Sequence, residues 1–283
     1  MTTRRASNRL VLDEVGNWSE LKIKIIKKYA HAYTTILANY KPVPAYIDGF
    51  AGAGQHISKS SGERIDGSPK AAFAVQPPFS EFHLVDLNGH RVDALRALAD
   101  GRENAYVYHG DCNRILLEDI YPVIRRNSKK RALCILDPYG LHLDWEVIAA
   151  AGKSKRIEIF LNFPVADMHR NVFWHDPSTV AEEDIARMNR FWGDESWRSI
   201  VYTPTETLFG PLIEKDENST HEIAKAFQKR LQDVAGFAYV PEPAPMRNSK
   251  NAVIYYLFFA SPNPTGGKIV GQILDKYRRE GVL

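Results

Sequence analysis

The chain has 283 residues, 44% of them hydrophobic and 25% charged, with a net charge of +3. That is ample for the core of one large α/β domain or two smaller ones, and the charge permits an acidic partner such as nucleic acid without arguing for one. Two cysteines, Cys112 and Cys134, exclude a disulfide framework and a four-cysteine zinc site. With no apolar signal core and no run of ~18 apolar residues, the expected setting is reducing and cytoplasmic, with no export and no membrane span.

Residues 1–16 are polar and read as a loose arm carrying Arg4, Arg5 and Arg9. Asn17-Trp-Ser-Glu20 has the form of a capping box. It opens a helix whose Leu21, Ile25, Tyr29, Ala32, Tyr33, Ile36 and Leu37 recur at helical spacing, with Lys22, Lys24, Lys27 and Lys28 on the other face. Pro42 and Pro44 end it. Next comes a short apolar strand, Tyr46-Ile-Asp48, running into the turn Gly49-Phe-Ala-Gly-Ala-Gly54. Glycines there allow positive φ and close backbone approach of a ligand. A polar stretch follows, then Gly67-Ser-Pro-Lys70, where Ser68 reads as a cap and Pro69 as the first helical residue.

Phe82–Asp86 is a second strand ending in an acid, followed by a helix from Gly89 to Leu98. Tyr106–Asp111 repeats the theme, and Ile115, Leu116, Ile120 and Ile124 mark the next helix, which runs into the basic cluster Arg125, Arg126, Lys129, Lys130 and Arg131. Leu133–Asp137 is the most apolar strand of the first four and continues into Pro138-Tyr139-Gly140. A helix over Trp145–Ala151 leads to a fifth strand, Ile157–Leu161, ending at Asn162-Phe163-Pro164. Strands alternating with helices at this spacing imply a mostly parallel sheet with right-handed crossovers. The alternation lapses over residues 165–218, which hold Trp174, Trp192 and Trp197 and a helix near Glu182–Phe191, and read as a helical insertion or lid. Ser219-Thr-His-Glu222 resembles a second capping box for a helix through Leu231. Phe237–Pro241 and Asn251–Ser261 read as a closing hairpin, and Thr265–Tyr277 as a last helix.

Four consecutive strands thus end in Asp48, Asp86, Asp111 and Asp137 at one edge of one sheet. Open α/β sheets bind ligands at that edge. Asp86 suits a ribose diol, while Asp111, with the Cys112 backbone N–H, suits an adenine; each acid taken singly is equally at home as a helix cap or turn residue. His83, His109 and Cys134 lie in apolar strands and read as core. No histidine shows ligand spacing, so no metal is expected.

The turn Asp48-Gly-Phe-Ala-Gly-Ala-Gly54 resembles the first motif of the class I S-adenosylmethionine-dependent methyltransferases. That resemblance implies a Rossmann-like sheet of seven strands with the last reversed, S-adenosylmethionine as cofactor, and cofactor contacts at Asp48, Gly49, Phe50, Gly52, Gly54, Asp86, Asp111 and Cys112. Together with Gly67-Ser-Pro69, Leu136-Asp-Pro-Tyr-Gly140 and Tyr256-Leu-Phe-Phe-Ala-Ser261, it is also similar to the three-Cys-motif partner protein family, which implies a cysteine-motif protein as partner. Residues 1–43 would then be an arm and helix ahead of a methyltransferase-like domain over 44–283. Asp137-Pro138-Tyr139-Gly140 resembles the D/N-P-P-Y/F segment of nucleic-acid amine methyltransferases, lacks its second proline, and is closer to the D-P-F/Y-G version of tRNA guanine-N2 enzymes. The resemblance implies that Asp137 and the Pro138 carbonyl accept the target amine while Tyr139 stacks on its base. The expected function is therefore methyl transfer to an exocyclic amine of a nucleic-acid base or nucleotide. The competing reading is a catalytically silent scaffold on the same fold. A nicotinamide dehydrogenase is disfavoured by the glycine spacing and the lack of a Tyr-x-x-x-Lys pattern.

Overall fold

The computed structural model describes residues 12–40, 42–59, 61–207 and 210–283. Arg4, Arg5 and Arg9 of the expected arm lie outside them. The centre is a seven-stranded sheet: β1 (Val43–Asp48), β2 (Glu81–Asp86), β3 (Ala105–His109), β4 (Lys130–Leu136), β5 (Ile157–Phe163), β6 (Ala244–Arg247) and β7 (Val253–Ala260). Their order is β6-β7-β5-β4-β1-β2-β3. Strands β1 to β5 pair in parallel, and β7 runs antiparallel between β5 and β6. The reversed last strand is as the sequence reading expected. Its hairpin partner is Ala244–Arg247 rather than Phe237–Pro241, which contributes only the bridge from Tyr239 to Ser261.

A sheet covered on both faces needs strands apolar on both sides. Along β4, Leu133 and Ile135 face one core and Cys134 and Leu136 the other. The first core holds the helix α1 (Asn17–Ala38), whose Ile25, Tyr29 and Tyr33 are buried as the spacing predicted. Tyr29 meets Phe259 edge-on at 4.7 Å. The second core holds the helices Trp145–Ser154 and Ser219–Asp233. It also takes in the 165–218 stretch, whose Trp192 and Trp197 are fully buried and whose Phe191 stacks on Phe227 at 5.8 Å. This stretch is therefore core-forming, and it includes a hairpin, Tyr202–Thr207 with Gly210–Lys215, that the sequence reading missed. Among the described residues no helix is long and apolar enough to cross a membrane.

Neither expected capping box forms. The cap of α1 is Gly16, and Glu20 instead accepts a hydrogen bond from Ser58 at 2.9 Å. The helix opening at Ser219 is capped by Asn218 without a side-chain bond, and the Ser219 hydroxyl is buried without a partner among the described residues. Ser68 is likewise helical, one residue past its cap Gly67. Residues 55–66, expected to be a polar loop, form the strands Gln55–Ser58 and Arg64–Asp66, and Glu14–Val15 pairs with the first of them. His83 and Cys134 are buried, but His109 is exposed on the edge strand, donating from Nε2 to the Leu87 carbonyl at 3.1 Å.

Glu158 is buried where α1 meets β5 and β7, accepting hydrogen bonds from the Tyr29 and Ser261 hydroxyls. Among the described residues no cation pairs with it, and burial pushes its pKa from 4.5 to about 7, with those two hydrogen bonds opposing. The folded state then favours the protonated acid. Its contribution is full below 4.5 and is lost as pH rises through 7. Glu158→Gln should therefore gain on the parent between pH 4.5 and 7.5 by on the order of 3 kcal/mol, at ~1.4 kcal/mol per pKa unit. Urea melts across that window check this; a parent-to-variant difference that does not change with pH contradicts it.

Candidate functional site

A cleft of about 1050 Å³ lies across the carboxyl ends of β1, β2, β4 and β5. Its floor is the turn after β1. The Gly49 N–H bonds to the Ile135 carbonyl and the Ala51 N–H to the Val85 carbonyl, both at 2.9 Å, so the turn is stitched to the strands on either side. Gly52 has φ +64°, a left-handed conformation that favours glycine. A side-chain carbon there would meet only the His56 ring at 3.8 Å, which leaves the backbone open to a ligand.

Asp86 ends β2 with both carboxylate oxygens in use. One accepts from the Gly52 N–H at 2.9 Å and the other from the Asn88 N–H at 2.8 Å. Each oxygen keeps further acceptor capacity toward the cleft it lines. Asp111 accepts from the Arg114 N–H at 3.0 Å as a helix cap and is exposed on the same wall. Cys112 is buried beneath Gly49, and burial pushes its thiol well above the ordinary range.

Of the residues expected to touch a cofactor, Gly49, Phe50, Gly52, Asp86, Asp111 and Cys112 line the cleft. Asp48 and Gly54 stand behind it. Asp48 is fully buried, accepting from the Tyr46 hydroxyl at 3.1 Å and the Phe50 N–H at 3.3 Å. Burial raises its pKa from 3.8 to about 6; hydrogen bonds from Ser68 and Tyr46 oppose the rise and nearby Asp137 adds to it. Gly54 packs on Leu98, and its carbonyl takes the Gly67 N–H at 2.9 Å.

The turn after β4 also lines the cleft, with Asp137, Pro138, Tyr139 and Gly140. The Asp137 side chain is 34% exposed and forms an ion pair with Lys22 of α1, whose side chain is only 11% exposed. Burial alone would lower the Lys22 ammonium. Asp137, with smaller help from Tyr255 and Asp48, more than offsets this and holds it well above its ordinary value. Tyr139 is 62% exposed. Arg91 donates to its hydroxyl at 3.2 Å, lies over its ring at 5.5 Å, and is itself gripped by both Asp13 oxygens at 2.8 Å.

Lys22 is the main site residue the sequence reading misplaced. The sequence spacing sets it on the face opposite the apolar one, yet Lys22, Ile25, Ile26 and Tyr29 are all buried and follow the i, i+3, i+4, i+7 spacing of a single inward stripe. That spacing was the available signal. The other basic cluster does not line the cleft. Arg125 to Lys129 precede β4 and Lys130 and Arg131 begin it, at the amino edge of the sheet, where Lys130 pairs with Glu81 at 2.7 Å. Of the two basic stretches, only Lys22 lines the cleft among the described residues. Asn162 and Asp167, also in the lining, each hold a buried oxygen without a hydrogen-bond partner among the described residues. Asp167 presses so near Gly140 (φ +55°) that a side-chain carbon there would lie 2.6 Å from its oxygen. Across the whole lining, six aspartates (13, 86, 111, 137, 144 and 167) face four fixed cations (Lys22, Arg91, Arg170 and Arg190), a surplus of two negative charges.

No protein-family model matches the chain, and no curated protein matches it. Among solved structures, it is similar to protein LPL1258 of Legionella pneumophila, of family-model DUF519, at 12% identity over 92% of this chain and 90% of that one, with a TM-score of 0.54. It is more distantly similar to the N-methyltransferase NodS of Bradyrhizobium japonicum in complex with S-adenosyl-L-homocysteine, at 8% identity over 88% and 89% and a TM-score of 0.37. TYW2 of M. jannaschii in complex with AdoMet gives 8%, 86% and 75%, and 0.35. At these identities the likeness is one of fold alone. The strand order and the single reversed strand are those of a Rossmann-like methyltransferase fold.

Breaking one side of the Lys22–Asp137 pair strands the other charge, and Lys22 is the more buried of the two. Asp137→Asn should therefore destabilise more than Lys22→Met, toward the ~3–5 kcal/mol of a broken buried pair, and the double variant should recover most of the loss. A urea double-mutant cycle reads this. Additive losses, or the reverse ranking, would contradict a coupled pair.

Proposed function

We propose that the chain is an S-adenosylmethionine-dependent methyltransferase acting on an exocyclic amine of a nucleic-acid base or nucleotide. One observation carries the reading: the glycine turn with Asp86 and the Asp137-Pro138-Tyr139 turn line a single cleft. A cofactor and its methyl acceptor need that adjacency. The residues fit the cofactor in three respects. The turn is open at Gly52, Asp86 and Asp111 offer acceptors for hydroxyl and amino groups, and the lining's negative surplus suits a sulfonium cation. When bound, S-adenosylmethionine supplies an activated methyl group, so the protein's task is positioning rather than strong base catalysis.

In this reading Asp137 accepts an N–H of the target amine with the oxygen that Lys22 leaves free, and the Pro138 carbonyl takes a second. Together they aim the nitrogen lone pair at the methyl group. Tyr139 offers its exposed ring for base stacking, worth ~1–3 kcal/mol. Lys22 holds the carboxylate in one orientation.

A second reading, a silent scaffold acting with a cysteine-motif partner, draws support from a specific observation. Lys22 sits on Asp137 and Arg91 lies over Tyr139, so both groups a substrate would use have partners within the chain. Single-turnover methylation of tRNA, DNA and small nucleotides with labelled cofactor separates the two readings. The enzyme reading expects labelling of one pool, slower by ~10²-fold in Asp137→Ala because a misaimed nucleophile loses about that much. Labelling that is equally fast in Asp137→Ala removes Asp137 from the chemistry, and cofactor binding without any labelling favours the scaffold. Asp86→Ala, which loses the ribose acceptor and the bond to Gly52, should weaken cofactor binding at least ~10-fold by calorimetry; parental affinity would reject that assignment.

A further inference from the structure

We propose that Lys22 is an oxyanion-binding residue of the cleft, receiving a carboxylate or phosphate from the ligand that enters beside Asp137. The part of this that names the cofactor as a source rests on the reading above; the assignment of Lys22 itself does not.

An ammonium carries three N–H donors, and a buried donor left without an acceptor is costly. Lys22 is 8% exposed and lines the cleft. Among the described residues its one hydrogen bond goes to Asp137. The Tyr255 ring lies 5.5 Å away and steadies the charge by a cation–π contact, yet offers no lone pair in the plane of a normal acceptor. Asp137 keeps the group charged despite its burial. The result is a permanent cation set into the wall with two donors unclaimed by protein.

The other cations of the lining are differently placed. Arg91 is held by Asp13 and Tyr139, Arg190 stands 3.7 Å from Asp144, and Arg170 is exposed. Lys22 is thus the deep one. Around it the surplus of aspartates disfavours further negative charge inside the cleft, so an oxyanion reaches Lys22 best on a part of the ligand that is otherwise neutral or cationic. That describes a compact zwitterion or a singly acidic amine. Two sources share this chemistry: the α-carboxylate of the cofactor's amino-acid end, and an acid group on the methyl acceptor.

Calorimetry with S-adenosylhomocysteine and its decarboxylated analogue, which keeps the nucleoside and amine, isolates the carboxylate without any mutation. Inorganic phosphate titrated into the protein, free and loaded with S-adenosylhomocysteine, probes the second source. If the cofactor is the source, the parent should prefer the carboxylated ligand by about tenfold or more, as one charge-assisted hydrogen bond allows. Lys22→Met should erase that preference by weakening only the carboxylated ligand, while Lys22→Arg should keep part of it. If the acceptor is the source, the two nucleosides should bind alike, and phosphate should bind the loaded parent but not Lys22→Met. Equal binding of the nucleosides, together with phosphate binding that is absent or unchanged by the substitution, overturns the proposal. Should Lys22→Met fail to fold, the ligand preference of the parent and of Lys22→Arg still decides. If neither nucleoside binds the parent, the cofactor reading fails, and phosphate binding to the parent and to Lys22→Arg alone supports or overturns the role of Lys22.

Discussion

The ion pair of Lys22 with Asp137 ties the first helix to the carboxyl end of the fourth strand, and the cleft takes its walls from that tie. A lysine at this depth is tolerated because its neighbour is anionic. The helix approaches because Ile25, Tyr29 and Tyr33 need the apolar face offered by Phe160 and Phe259. Burial of that stripe carries Lys22 inward, and Asp137 is the acid it reaches. The segment ahead of the helix follows. Asp13 grips Arg91, and Glu14–Val15 adds a strand to the hairpin at 55–66, so that side of the cleft is built from pieces far apart in sequence.

Strand-end acids serve two purposes here at once. Asp86 fastens the glycine turn through the Gly52 N–H while lining the cleft, and Asp111 caps a helix from the same wall. Asking whether such an acid is a cap or a ligand contact poses a false choice, because a carboxylate has capacity for both. Asp48 shows the limit. Fully buried and bonded to Tyr46 and Phe50, it shapes the turn from behind.

Much of the fold was legible because it depends on local pattern. Strands that end in Asp48, Asp86 and Asp137 alternate with helices whose apolar stripes the structure confirms, and the apolar run at Val253–Phe259 marked the reversed strand. What escaped the sequence depends on contacts between distant segments. The capping boxes at Asn17 and Ser219 failed because Glu20 found Ser58 and Ser219 was drawn into the interior. The strand pairing of Glu14–Val15 leaves no local trace. Trp192 and Trp197 lie where the strand–helix rhythm lapses, and it is tertiary packing that places both in the core of the sheet's second face. Most of the candidate site was legible too, since one parallel sheet edge gathers the ends of its strands. Lys22, Arg91 and Asp167 were not, because each reaches the cleft from a helix rather than from the end of a strand.

The central claim is that this sheet edge is a cofactor cleft floored by the Gly49–Gly52 turn and braced by the Lys22–Asp137 pair. A crystal structure of the chain grown with S-adenosylhomocysteine tests it most directly. The expected result is the nucleoside against Gly52 and Asp86, with the sulfur facing the Asp137-Pro138-Tyr139 turn. Ligand density at any other surface, or a cleft left empty at saturating ligand, would contradict the account.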